Sequence, residues 1–177
     1  LKVIDDKQEK LFAVSDAVWD AAETAFSETT SAKVLCELME SEGFAVTCPA
    51  FGIDTAFTAS YGSGKPVMGF LGEFDALANL NQEAGCLEKK ACVPGANGHG
   101  CGHNMLGTAA AASAIAVKAY LEQTGRPGTV IFFGCPGEEG GSGKAFMARE
   151  GAFDGLDFAV TWHPADVNCV RTGSSLA

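Results

Sequence analysis

The sequence predicts an α/β domain in which a mixed β-sheet is sandwiched by helices. Three observations carry this expectation. Apolar residues recur at helical spacing in two N-terminal segments and in an alanine-rich stretch from Asn104 to Gln123. Short apolar runs of strand length follow, among them VMGFLGEF, TVIFFGC and DFAVTW. The order is α-α-β-β-loop-α-β-α-β, the alternation that builds a helix-covered sheet.

Each element has its local reason. Residues 5–25 place Leu11, Val14, Val18, Ala21, Ala22 and Ala25 on one helical face. A second helix is expected from Thr29 or Thr30 to Glu42, with Val34, Leu35, Leu38 and Met39 as its apolar stripe and Gly43 as its stop. AVT and TAFTASYG read as strands. Gly62-Ser63-Gly64-Lys65-Pro66 is a turn, so the run PVMGFLGEFDAL is expected to return as the second arm of a β-hairpin. Residues 78–100 have no period, and a loop of that length in a compact domain is usually functional. TVIFFGC is continuously apolar, as in a strand covered on both faces. GKAFMAREGAF reads as a short helix, and DFAVTW as another buried strand that ends at His163. No internal repeat or low-complexity segment is visible.

Composition narrows the function. With 177 residues the chain suits one domain with a real core. Its formal charge of 12 − 22 = −10 and the absence of a basic run argue against a nucleic-acid partner. No apolar run has the roughly 18 residues needed to span a membrane. The N-terminus lacks an apolar signal core, although the chain begins at Leu1, which leaves a removed leader open. The seven cysteines are odd in number and irregularly spaced, which favours free thiols in a reducing cytoplasm.

Four segments hold the unusual polar residues: GEFDAL (Glu73, Asp75), GHGCGHN (His99, Cys101, His103, Asn104), CPGEEGGSG (Glu138, Glu139) and TWHPA (His163). Three of them directly follow a predicted strand, and the fourth opens a helix. Strand ends line up along one edge of an α/β sheet, so these residues could converge. Taken singly, each has a plain structural alternative. Cys101-Gly102-His103 can present a thiolate and an imidazole to metal, or simply cap a helix. Glu138-Glu139 can divide metal binding and proton transfer between two carboxylates, or form a solvated turn. If extended, the pair would point its side chains opposite ways. His163 can ligate metal or pack at the surface, and Asp75 can orient a ligating histidine or end a turn. Cysteine nucleophilic catalysis, with Cys101 attacking and His103 or His163 as base, is a rival that leaves Glu138-Glu139 unused. Arg171 and Lys65 could meet a substrate carboxylate.

Taken in order, FDAL, GHGCGHN-x-LG, strand-GEEGGSG and strand-WHP resemble the M20 metallopeptidases, most of all the M20D amidohydrolases. AAETAFSETTSAKVLCELMESEGF is similar to that family's opening helices. The resemblance covers essentially the whole chain. It implies a zinc-exopeptidase-like fold and two divalent metal ions, Zn or Mn with Co possible. It implies Cys101, His103, Glu139 and His163 as ligands, Cys101 able to bridge, Glu138 as general base and Asp75 as supporting carboxylate. It further implies hydrolysis of N-acyl or N-aroyl amino acids, such as p-aminobenzoyl-glutamate, or of dipeptides, by a metal-activated water. Two positions depart from the family pattern: Glu73 stands where an Asp is usual, and Asn104 where the family often has Asp. His99 is expected in a substrate loop or behind the ligands. Family members are roughly twice as long, so residues 1–177 correspond to the N-terminal part of a split catalytic domain. The lid or dimerisation domain, the return strands and one further histidine ligand would lie outside it. The lid implies a homodimer or a heterodimer of related subunits. A non-catalytic partner subunit or binding module of the same fold is the alternative from another functional class.

Overall fold

The computed structural model describes residues 2–170. Its elements are α1 (Lys2–Asp5), α2 (Gln8–Ala21), α3 (Thr29–Ser41), β1 (Ala45–Thr47), β2 (Phe57–Ser63), β3 (Val67–Glu73), α4 (His103–Thr124), β4 (Gly128–Cys135), α5 (Glu138–Gly141), α6 (Gly143–Arg149) and β5 (Phe158–Val160). The expected α/β architecture is present as a single five-stranded mixed sheet of order β1-β2-β4-β3-β5.

The strand order corrects one expectation. β2 and β3 do not form a hairpin. β4 lies between them, antiparallel to β2 and parallel to β3. The Gly62–Pro66 segment instead crosses the start of β4, where the Thr129 N–H donates to the Pro66 carbonyl at 2.9 Å and its hydroxyl to the Gly64 carbonyl at 2.9 Å. The reason is burial. β4 is the most apolar strand, and a β2–β3 hairpin would leave it on an edge. In the centre its alternate side chains enter two cores. Val130 and Phe132 join the core under α2, α3 and α4, while Phe133 and Cys135 join Met147 of α6 and Ala152 on the other face. Phe57 of β2 lies against Phe132 and Phe74, with ring centroids 5.6 and 6.1 Å away.

Two smaller expectations also change. The first predicted helix is broken at Asp6 and Lys7 into α1 and α2. DFAVTW, expected to be buried, contributes an exposed edge strand along β3, with Phe158 and Val160 about half accessible. Apolarity alone does not decide whether a strand is covered.

What positions the site is the shared direction of β3, β4 and β5, which are mutually parallel. Their C-terminal ends therefore open on one edge. α4 comes close to that edge because Gly107 has no side chain; a Cβ there would stand 2.6 Å from the Glu73 carbonyl oxygen. The close approach brings the first turn of α4 to the end of β3.

Candidate metal centre

All four polar segments meet at this edge. Glu73 ends β3, and Asp75 follows it two residues later. His103 is the first residue of α4, behind the left-handed Gly102 at φ 77°. Glu138 and Glu139 open α5 just after β4. The pair is therefore helical, not extended as the sequence suggested. It still presents unequal side chains, Glu138 at 42% exposure and Glu139 at 20%. His163 arrives after β5.

His103 is the centre of the arrangement and is fully buried. Its Nδ1 lies 3.0 Å from Asp75 Oδ1. Asp75 is buried too, and burial by itself would raise its carboxyl. The His103 ring and the Glu139 N–H, which donates to Oδ2 at 2.9 Å, outweigh burial and hold it below the usual carboxylate range. An ionised Asp75 can only accept, so Nδ1 carries the proton and Nε2 presents a bare lone pair. Nε2 faces Glu73 Oε2 at 3.1 Å, Glu139 Oε1 at 3.8 Å and Glu138 Oε2 at 4.0 Å. Burial works against charging the ring, yet Asp75, Glu73 and Glu139 raise its pKa above the ordinary histidine value. The local field favours positive charge at this point.

Cys101 and His163 close the other side. Cys101 Sγ is 3.2 Å from His163 Nε2, and His163 Nδ1 donates to the Pro164 carbonyl at 3.0 Å, which leaves Nε2 as the acceptor. The His103 and His163 rings are 6.0 Å apart, edge to face. Burial, together with Glu139, Glu138 and Glu73, pushes the Cys101 thiol up to about 12. That is the reverse of an activated nucleophile, whose surroundings are electropositive.

The donor set fits a divalent cation. Cys101, His103 and His163 place ligand atoms within 4.8 Å of one another, and so do Glu73, His103 and Glu138. His103 Nε2, Glu73 Oε2 and Glu139 Oε1 are all buried without a hydrogen-bond partner. Buried polar atoms are normally satisfied, and three orphans converging beside several carboxylates are costly unless a cation joins them. Thiolate, imidazole and carboxylate donors together suit Zn²⁺ and neighbouring divalent ions.

Some neighbours were not anticipated as site residues. Glu73 reaches His103 because the longer Glu side chain extends past the strand end, and Lys144 of α6 pairs with its other oxygen. Glu28 is fully buried and accepts from the Gly137 N–H at 2.8 Å, directly before Glu138. The departure at Glu73 was visible in the sequence; nothing local marks Lys144 or Glu28. His99 is a packed residue, its Nε2 donating to the Val18 carbonyl at 2.9 Å beside Trp19. Asn104 donates to the Ser15 hydroxyl at 3.0 Å and ties α4 to α2. Lys65 lies at the opposite end of β3, paired with Asp157 at 2.7 Å, so it does not face the site. Arg171 lies outside the described residues.

The order of motifs, now joined in one place, can be compared with known proteins. The family described as Peptidase family M20/M25/M40 matches residues 69–169, which include every one of these candidate ligands. The chain belongs to this peptidase family. Among M20 relatives, a subunit of the p-aminobenzoyl-glutamate hydrolase of Escherichia coli is 57% identical over 161 residues, 91% of this chain and 34% of the relative. The Xaa-Arg dipeptidase of Mus musculus is 34% identical over 177 residues, 93% of this chain and 37% of the relative. The chain thus spans about a third of the length of the curated relatives it matches. A solved M20 structure, a dinuclear metal-binding peptidase from Bacillus subtilis, superposes with a TM-score of 0.73 at 20% identity, covering 88% of this chain and 42% of that one. That likeness confirms the fold.

Proposed function

We propose that this chain carries the base and most of the metal ligands of a hydrolase. Its reaction is cleavage of the amide in N-acyl or N-aroyl amino acids, p-aminobenzoyl-glutamate among them, or in dipeptides. The observation that carries the reading is the convergence of buried, unpartnered His103 Nε2, Glu73 Oε2 and Glu139 Oε1 beside Cys101 and His163. The 57% identity to a p-aminobenzoyl-glutamate hydrolase subunit supports the substrate class.

In this reading Cys101, His103, Glu139 and His163 hold two divalent ions, Zn²⁺ or Mn²⁺, with Co²⁺ a third candidate. When bound, the ions supply Lewis acidity toward the scissile carbonyl and lower the pKa of water. Asp75 keeps the His103 lone pair aimed inward by holding the Nδ1 proton. Glu138 is the more exposed carboxylate of the pair, within reach of both solvent and the His103 face. It takes a proton from the attacking water and passes it to the leaving amine. Residues 1–177 are read as the N-terminal part of the catalytic domain, in keeping with the third of the relatives' length that they span. Assembly as a homodimer or a heterodimer of related subunits is supported by the E. coli relative's name as a subunit. A cytoplasmic setting is supported by seven unpaired cysteines.

The test is metal content by elemental mass spectrometry of the intact protein, paired with amide turnover. About one to two equivalents of Zn²⁺ or Mn²⁺, lost in Cys101→Ala or Glu139→Ala, are expected. Glu138→Gln should keep the metal and lose roughly 10²- to 10⁴-fold in kcat. A metal-free wild type after reconstitution, or full turnover in Glu138→Gln, would overturn the reading in favour of a binding module. Cys101→Asp should retain metal, because a carboxylate can still ligate; a nucleophilic role would predict complete loss of turnover with metal unaffected.

A further inference from the structure

Glu28 stands at the N-terminal boundary of α3, the position from which a side chain normally caps its own helix. Its carboxylate makes no such cap. The cap is supplied from five residues upstream, where Glu23 accepts from the N–H groups of Thr30 and Ser31, each at 2.9 Å. The Glu28 side chain turns the other way and is completely buried. One oxygen accepts from the Gly137 N–H at 2.8 Å and the other from the Thr55 hydroxyl at 2.9 Å. The helix cap has been delegated, and the buried carboxylate serves a segment 109 residues away.

That segment is the turn carrying Glu138 and Glu139. Gly137 is its root: φ is 64°, and its carbonyl accepts from both the Gly141 and Gly143 N–H groups at 3.1 Å. Phe26, two residues before Glu28, lies where a Cβ on Gly137 would stand, 2.8 Å from its ring. The connection between α2 and α3 thus holds the turn by one buried hydrogen bond and one aromatic wall. Burial pushes the Glu28 carboxyl up. A protonated Glu28 would still accept from Gly137 while donating to Thr55, so the grip on the turn does not depend on its charge.

We propose that Glu28 is a positioning residue for the Glu138-Glu139 turn: by holding the Gly137 N–H it sets where the base and its neighbouring ligand stand. The kinetic consequence rests on the hydrolase reading; the hold on the turn does not. Misplacement of a catalytic group by a fraction of an ångström is enough to slow turnover.

The experiment compares Glu28→Gln, Glu28→Ala and Glu28→Leu in the intact protein, the last filling the volume in case Ala fails to fold. Backbone amide exchange over residues 134–141, kcat and KM on p-aminobenzoyl-glutamate, Zn²⁺ affinity by chelator competition and Tm are measured together. In Ala or Leu, exchange at Gly137 should accelerate, and kcat and Zn²⁺ affinity should each fall roughly 10- to 100-fold, with KM changed less than about threefold. Gln should restore all three to within about threefold, since its amide oxygen accepts from Gly137 and its NH₂ donates to Thr55. A variant that only lowers Tm, with exchange at Gly137 and kcat of the folded fraction unchanged, overturns the proposal; so does Gln behaving like Leu. If the wild type hydrolyses no amide, the hydrolase reading fails. Exchange at Gly137 and Zn²⁺ affinity then still decide the role of Glu28.

Discussion

Replacing Asp75 with Asn changes one atom type and almost no volume, so its effect can be worked from two hydrogen bonds. Oδ1 accepts from the His103 ring and Oδ2 from the Glu139 N–H. Asn offers one acceptor and one donor. With its oxygen toward His103, its NH₂ confronts the Glu139 N–H, donor against donor. With its oxygen toward Glu139, its NH₂ faces Nδ1, which must then give up its proton. The imidazole proton moves to Nε2 and covers the lone pair that faces the carboxylates. Neither orientation satisfies the buried site. One unsatisfied buried partner costs about 1–3 kcal/mol. At about 1.4 kcal/mol per tenfold, this corresponds to roughly 5- to 100-fold. Loss of a carboxylate behind a metal-bound histidine typically costs roughly 10- to 100-fold in affinity, a range that overlaps it. The expected result is Zn²⁺ affinity lowered roughly 10- to 100-fold by chelator competition, with unfolding in urea still cooperative. Wild-type affinity in Asp75→Asn would refute the assignment of His103 Nε2 as the bare ligand atom. It would also leave the buried Asp75 carboxylate with no part in orienting the ring.

Other outcomes follow from the same geometry. Gly107→Ala would place a Cβ 2.6 Å from the Glu73 carbonyl and push α4 off β3; a loss of about 1–3 kcal/mol in urea unfolding is expected, together with weaker metal binding. Glu23→Ala should lower stability by about 1 kcal/mol, because it uncaps α3 from a partly exposed position. Burial pushes the Glu23 carboxyl up, but the Ser31 and Thr30 donors outweigh it and hold it below its ordinary 4.5. Its contribution is therefore full above the unfolded value and lost as pH falls through the lower folded one, so wild type and Glu23→Ala should converge in acid unfolding. Zn²⁺ or Mn²⁺ at a hundredfold excess over Kd should stabilise the protein by about 2.7 kcal/mol in denaturant titration, an increment absent with EDTA or in Cys101→Ala.

Much of this molecule was legible from residue order alone. Helical periodicity placed α3 and α4 to within a residue or so, because each buries a regular apolar face. The four polar segments were recognisable because three follow strands and one opens a helix, and strands that run the same way must end on the same edge. What the chain order could not decide was which strands pair. Hydrogen-bond ladders are indifferent to side chains, and only the demand for two covered faces sends β4 between β2 and β3. The same limit hid the α5 turn, where the backbone of Glu138 and Glu139 is shaped by Gly137 and by Glu28 from across the fold. It also hid Lys144 against Glu73 and His99 against Val18. Sequence determines which groups exist and which local elements carry them. Tertiary packing decides which of those groups face one another, because the contacts that set His103 Nε2 among its carboxylates join residues tens of positions apart.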